Sequence, residues 1–160
     1  NQDPAWAVAW SPDGQYLAIE TAGRGLECNI YLVAIEGGSV APIAIEGELL
    51  DAREPAWSPD SKRLAFTASH SDVSEIGLIE LPPLKSGNGS DPQWLEHPLL
   101  HQQSIEHRER SQPAWAPDGK RLAFIETCGA QTRLIVQALP DSLISAHEAQ
   151  SAPLPEPGCC

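Results

Sequence analysis

Three of the five histidines in this 160-residue chain cluster: His97, His101 and His107 form a His-x3-His-x5-His pattern, with Glu96 and Glu106 beside them. Imidazoles one helical turn apart chelate transition metals, and on a helix His97 and His101 would share a face. Pro98 stands between them, however, and the chain has no second ligand cluster. The expectation is therefore solvated loop histidines and no metal site. Asp13, Asp60 and Asp118 could form a ring of acids. Each follows a proline in a Ser-Pro-Asp or Ala-Pro-Asp turn, and there an aspartate caps nearby backbone amides. Nucleophilic catalysis lacks its parts: there is no Gly-x-Ser-x-Gly elbow, no standout Cys–His pair and no phosphate-cradling Gly-rich loop. Gly87-Asn88-Gly89-Ser90 has the composition of a linker. No catalytic residue and no cofactor are expected.

The cysteines add little. Cys28 and Cys128 lie 100 residues apart and Cys159 and Cys160 are adjacent, so no CxxC half-site for zinc exists. Spacing leaves a Cys28–Cys128 disulfide open. The chain contains no Met and starts at Asn1, as expected of a chain whose leader was removed or of a segment of something longer.

Composition limits what can position these residues. Ten Lys plus Arg against 22 Asp plus Glu give a net charge of −12. Phosphate binding needs a clustered basic surface, so a nucleic-acid partner is excluded, as is docking on an anionic membrane. No apolar stretch approaches the roughly 18 to 20 residues that span a bilayer as a helix. Fifteen Pro and 12 Gly disfavour a helix bundle and fit short strands joined by turns. With 41% apolar residues the chain has enough to build a core.

A repeat decides the fold. Ala9-Trp10-Ser11-Pro12-Asp13-Gly14-Gln15-Tyr16-Leu17-Ala18-Ile19 matches the segments from Ala56 to Phe66 and from Ala114 to Phe124. The Trp-to-Trp offsets are 47 and 58, yet the next β-type run (Ile30, Ile76 and Leu134 are its first residues) starts 20, 19 and 19 residues after each Trp. Constant internal spacing within a variable period marks one structural unit with loop insertions. In each unit a strand ends at the Trp and Pro-Asp-Gly turns the chain, with Gly free to take positive φ. Ser61 replaces that Gly in the second copy, so its turn should be strained or of another type. The following strand sets Leu17 and Ile19, Leu64 and Phe66, or Leu122 and Phe124 on one face. Ala18, Ala65 or Ala123 lies on the other. This suits a sheet packed on both faces. Fourth strands are expected at Ala41 to Ile45, Gln93 to Leu100 and, for the third unit, Ser142 to Ala146.

Pro-Ala-Trp-Ser-Pro-Asp-(Gly/Ser)-Lys-Arg-Leu-Ala-Phe resembles the repeat of the TolB-type, or WD-repeat-like, β-propellers. The resemblance implies an all-β partial propeller of three four-stranded antiparallel blades, the third incomplete. Residues 1–138 would form the arc, with blades at about 3–47, 48–105 and 106–138, and 139–160 a Pro-rich tail. Propellers close with about four to eight blades. Three leave flanks for self-association, for a partner or missing sequence, or for the tail to cover. The repeated tryptophans should pack between blades, while Trp94 and Trp6 lie outside the repeat register. Trp94, His97 and His101 in the long insertion, together with Trp6, are the candidate protein-binding residues. The repeat itself does not separate scaffolds from blades beside catalytic domains. With no catalytic motif the expectation is a non-enzymatic scaffold or a subunit of a larger assembly, and the resemblance implies a bacterial envelope or periplasmic setting. The alternative is an accessory, substrate-gating propeller of a prolyl-oligopeptidase-type hydrolase. The acidic surface favours a basic protein partner.

Overall fold

A computed structural model describes residues 5–22, 28–36, 40–42, 51–70, 73–81 and 108–139. All regular structure among them is β. The first unit is β1 (Ala5–Trp10), β2 (Tyr16–Ala22), β3 (Cys28–Ala34) and β4 (Val40–Pro42), an antiparallel sheet in sequence order. The second comprises β5 (Asp51–Trp57), β6 (Arg63–His70) and β7 (Val73–Glu80); the third, β8 (Arg108–Trp115), β9 (Arg121–Cys128) and β10 (Gln131–Ala138). One parallel pairing, Ser74 with Glu109, joins these two units into a six-stranded sheet. The fourth strand of the first unit is the short β4, near its expected place; those expected at 93–100 and 142–146 lie outside the described residues.

The repeat folds three times in one register. Trp10 opposes Leu17, Trp57 opposes Leu64 and Trp115 opposes Leu122. Between them the Pro-Asp turn closes on the same backbone bond at 2.9 Å: Gly14 N–H to Ser11 O, Ser61 N–H to Ser58 O and Gly119 N–H to Ala116 O. Gly14 and Gly119 stand at φ of 71° and 67°, and Ser61 at 59°. Ser61 therefore keeps the turn type and carries the left-handed strain, which costs a non-glycine residue about 1–2 kcal/mol. It also gives something back, because its hydroxyl accepts the Asp13 amide of the first unit at 3.0 Å. Ser61→Ala keeps the strain and loses that bond, so it should destabilise by about 1 kcal/mol. Ser61→Gly loses both and should fall within about 0.5 kcal/mol of wild type. Urea midpoints of the two variants check the order, and Ala equal to Gly would refute it.

Burial explains how the units stack. In the central strand β6 both faces are covered: Leu64 and Ala65 are fully buried, and Phe66 and Thr67 nearly so. In β2 the buried face is Tyr16, Ala18 and Glu20, whereas in β9 it is Leu122, Phe124 and Glu126. The expected two-sided packing thus holds for the middle unit. The outer units bury one face each, and opposite ones, because each has a described neighbour on one side. One core cluster sets Ala18, Ile30 and Leu32 against Leu64, Phe66 and Trp57. The other sets Ala65, Ile76 and Leu78 against Leu122, Phe124 and Leu139. Each junction is thus the alanine face of one unit on the leucine–aromatic face of the next.

Gly77 permits one of these contacts. It pairs with Phe66 across the β6–β7 ladder, and a Cβ there would stand 2.5 Å from the phenyl ring. The ring occupies the place of the missing side chain, as aromatic residues do over strand glycines.

Candidate functional site

The residues singled out for protein binding fall mostly beyond the described structure. Trp94, His97 and His101 lie in residues 82–107, outside the described residues. The backbone of Trp6 sits in β1, where the β1–β2 register shifts between Ala5 and Ala7; its side chain is not among those described. Pairing makes Trp10, not Trp6, the equivalent of Trp57 and Trp115.

What the described residues build is a repeated junction and two open flanks. At each junction the indole N–H of the later unit donates to the carbonyl just before the earlier unit's Trp: Trp57 Nε1 to Ala9 O and Trp115 Nε1 to Ala56 O, both at 3.0 Å. The residue that opens the second strand of the earlier unit lies over the same indole. Tyr16 stacks on Trp57 with centroids 6.0 Å apart, and the Arg63 guanidinium sits 4.7 Å over Trp115. These contacts combine aromatic burial with a directed polar handle. Burial, and then the negative charge of Asp13, push the Tyr16 phenol up from its ordinary value.

Two bulges carry a second link. Glu54 and Gln112 adopt left-handed φ of 55° and 57° just before Pro-Ala-Trp, where the β5–β6 and β8–β9 registers shift. Each presents its amide to a carboxylate of the unit before: Glu54 N–H to Glu20 at 2.8 Å, and Gln112 N–H to Glu54 at 2.7 Å. Glu54 also accepts the Thr67 hydroxyl at 2.7 Å. Sequence reasoning missed these acids; the only available signal was that each bulge residue precedes a repeated Pro-Ala-Trp.

The aspartates act as turn caps. Asp13, Asp60 and Asp118 each accept the amide two residues on, from Gln15, Lys62 and Lys120. Between the second and third turns lies an open groove of about 400 Å³, lined by Pro59, Asp60, Arg63, Pro117, Asp118 and Lys120 among others. For Asp60, burial acts to raise the pKa and is the largest single influence. The Ser58 hydroxyl, the Lys62 amide and the charges of Arg63 and Lys62 together outweigh it, so the carboxyl ionises below its ordinary 3.8. The Lys120 amide and then Arg121 hold Asp118 down likewise. A depressed folded-state pKa stabilises the fold above the unfolded value, and that stabilisation is lost as pH falls through the folded one. Urea midpoints should therefore hold level above about pH 5 and drop below 3.8. Asp60→Asn should flatten that drop, and an unchanged acid slope would contradict the cap.

No group of three His, Cys, Asp or Glu among the described residues is placed to hold a metal. No helix among them is long and apolar enough to cross a membrane. Cys128 is disulfide-bonded. The flanks are apolar instead: Val8, Trp10 and Val40 are 58–60% exposed on the first unit, and Leu134 and Val136 are 66% and 59% exposed on the third.

No protein-family model matches the chain. It is 26% identical over 137 residues to the uncharacterized peptidase YuxL of Bacillus subtilis strain 168, covering 72% of this chain and 20% of that protein. Among solved structures it resembles a putative TolB from Agrobacterium tumefaciens, with a TM-score of 0.54 and 22% identity over 89% of this chain and 47% of that one. TolB from Acinetobacter baumannii aligns with a TM-score of 0.42 and 20% identity, covering 85% and 41%. By the first of these likenesses the chain has a TolB-like β-propeller fold, as its tryptophan-led repeat implied. It spans about half the length of the first of these structures and a fifth of the peptidase.

Proposed function

We propose that this chain is a non-enzymatic propeller-repeat scaffold that mediates protein–protein interaction or acts as a subunit of a larger envelope-associated assembly. Its three units would be blades of about 3–47, 48–105 and 106–138, followed by a Pro-rich tail over 139–160. The observation that carries this reading is the pair of exposed apolar flanks on a stacked β arc, where Val8, Trp10, Leu134 and Val136 face outward. Contacts in the long second-unit insertion would come from Trp94, His97 and His101, with Trp6 as a further anchor. A disulfide at Cys128 agrees with an oxidising compartment such as the periplasm. The acidic surface would speed encounter with a basic partner at low salt.

A photo-crosslinking residue at position 94, 101 or 6 tests this in envelope fractions of the native cells. Discrete protein adducts from these positions, absent from the exposed turn position Gln15, are expected. No adduct from any of the three would refute the reading. The likeness to a peptidase favours one alternative, a propeller that gates substrate for a hydrolase of the prolyl-oligopeptidase type. Adducts would then consist of a hydrolase domain or of peptide substrate, which mass spectrometry separates from a scaffold partner.

A further inference from the structure

The two junctions between units close their turns differently, and the difference leaves a recess at one of them. At the first junction the Ser61 hydroxyl of the later turn accepts the Asp13 amide of the earlier one at 3.0 Å. At the second, the same motif positions are held by Gly119 and Asp60. Gly119 has no side chain to offer, and the Asp60 amide has no acceptor among the described residues. The place that a serine oxygen fills in one junction is therefore open in the other, within the groove of about 400 Å³ between the two turns. Cations surround it. Arg63 is fixed over the Trp115 ring and by Nη2 donating to Gly119 O at 2.7 Å. Its Nε and Nη1 donate to no described residue. Lys120 lines the same groove. Of the two acids there, Asp118 is held by Arg121, and Asp60 turns Oδ1 onto the Ser58 hydroxyl and the Lys62 amide. Four cations (Lys62, Arg63, Lys120 and Arg121) against two carboxylates leave these turns locally at +2 in a chain of net charge −12.

The geometry points to a carboxylate-binding site in this groove, which takes a Glu or Asp side chain from a segment of a protein partner. One carboxylate oxygen takes the place of the serine oxygen and accepts the Asp60 amide. The other accepts from Arg63, with the Lys120 ammonium beside it. A guanidinium already held by a ring and a carbonyl loses little freedom on gripping a carboxylate. Bonds to an ionised acceptor are also roughly twice as strong as neutral ones. Pro59 and Pro117 wall the groove and offer apolar surface to side-chain methylenes, which favours a carboxylate carried on carbon over a free inorganic anion. Because the whole chain is acidic, one carboxylate seated at short range fits it better than a long acidic run. The site rests on the protein-binding reading above for the source of its carboxylate and uses none of the residues proposed there.

Titrating the isotope-labelled full chain with acetyl-Gly-Glu-Gly-amide, followed by amide chemical shifts, tests this. The Asp60 amide proton is expected to move downfield and saturate. Gln in place of Glu in the peptide should weaken binding about ten-fold or more. Gly119→Ser supplies the missing hydroxyl from within: a Cβ there stands 3.8 Å from Arg63 and Pro59, and Ser61 already holds the same left-handed turn position. That variant should stay folded by circular dichroism and lose the peptide. Lys120→Gln, at an exposed position, should weaken binding several-fold. Ser61→Gly opens the corresponding place in the first junction but leaves Tyr16 rather than an arginine on the indole, so the Asp13 amide should not respond. No saturating shift at Asp60, equal binding of the Glu and Gln peptides, undiminished binding by Gly119→Ser or by Lys120→Gln, or an Asp13 response in Ser61→Gly matching that of Asp60 would each overturn the site. Inorganic phosphate that shifts the same amides more tightly than the peptide would make it a free-anion site and overturn the assignment to protein. A silent Asp60 amide with discrete adducts from position 94 leaves the scaffold reading standing, so the two failures are distinguishable.

Discussion

Replacing Trp57 by alanine should cost about 3–5 kcal/mol of unfolding free energy, the range for emptying a large aromatic site in a core. Trp57 is 8% exposed and packs within the cluster that joins the first two units. It stacks on Tyr16 with rings 18° from parallel and donates to the Ala9 carbonyl. Trp57→Phe should keep most of the burial and lose the directed bond, for about 1 kcal/mol. Trp10→Ala, in the same motif position but 60% exposed, should change the stability of the isolated chain by less than about 0.5 kcal/mol. Because units in a repeat array are held by nearest-neighbour interfaces, Trp57→Ala should also separate the unfolding of the first unit from that of the other two. Urea titrations followed by far-ultraviolet circular dichroism would show the split. Equal losses for Trp10→Ala and Trp57→Ala would refute the stacking order.

That contrast also shows where sequence reading stops. Trp10, Trp57 and Trp115 are indistinguishable in sequence, since each precedes Ser-Pro-Asp or Ala-Pro-Asp and a Leu-Ala pair. The hairpins they lead were therefore legible, down to the turn that strains at Ser61. Their burial was not, because it depends on which neighbour stands on which side. Only the stacked units reveal that alanine faces meet leucine–aromatic faces, and hence that Trp10 and Val136 end on open flanks. The carboxylates were hidden for a related reason. Glu20 and Glu126 occupy strand positions where alternation predicts ordinary packing, and only a bulge amide or a guanidinium from another strand explains burying them. The candidate contacts at Trp94, His97 and His101 came from insertion length and residue type, signals that propose a surface without fixing its shape.

Glu126 makes the strongest case for a buried charge within a single unit. It lies in the middle strand β9, opposite Arg110 of β8 and Arg133 of β10. Its two oxygens are divided between them: Arg110 Nε to Oε2 at 3.0 Å, and Arg133 Nε and Nη2 to Oε1 at 3.0 and 2.9 Å. The carboxylate side chain is 4% exposed and Arg110 16%, with the Arg110 guanidinium 5.6 Å over the Phe124 ring. Glu126→Ala removes the acceptor shared by three strands and should destabilise by about 3 kcal/mol, near the lower end for breaking a buried pair. Most of that loss comes through Arg110. Arg133 is 44% exposed, so water screens its pair and Arg133→Ala should cost less than about 1 kcal/mol. Glu126→Gln keeps the shape and one acceptor and should fall between the two. A double-mutant cycle with Arg110→Met separates the pair from packing, since methionine fills much of the arginine stem without leaving a charge to solvate. If Glu126→Ala and Arg133→Ala proved equally mild, the carboxylate would be packing filler and the third unit would be held by its apolar junction alone.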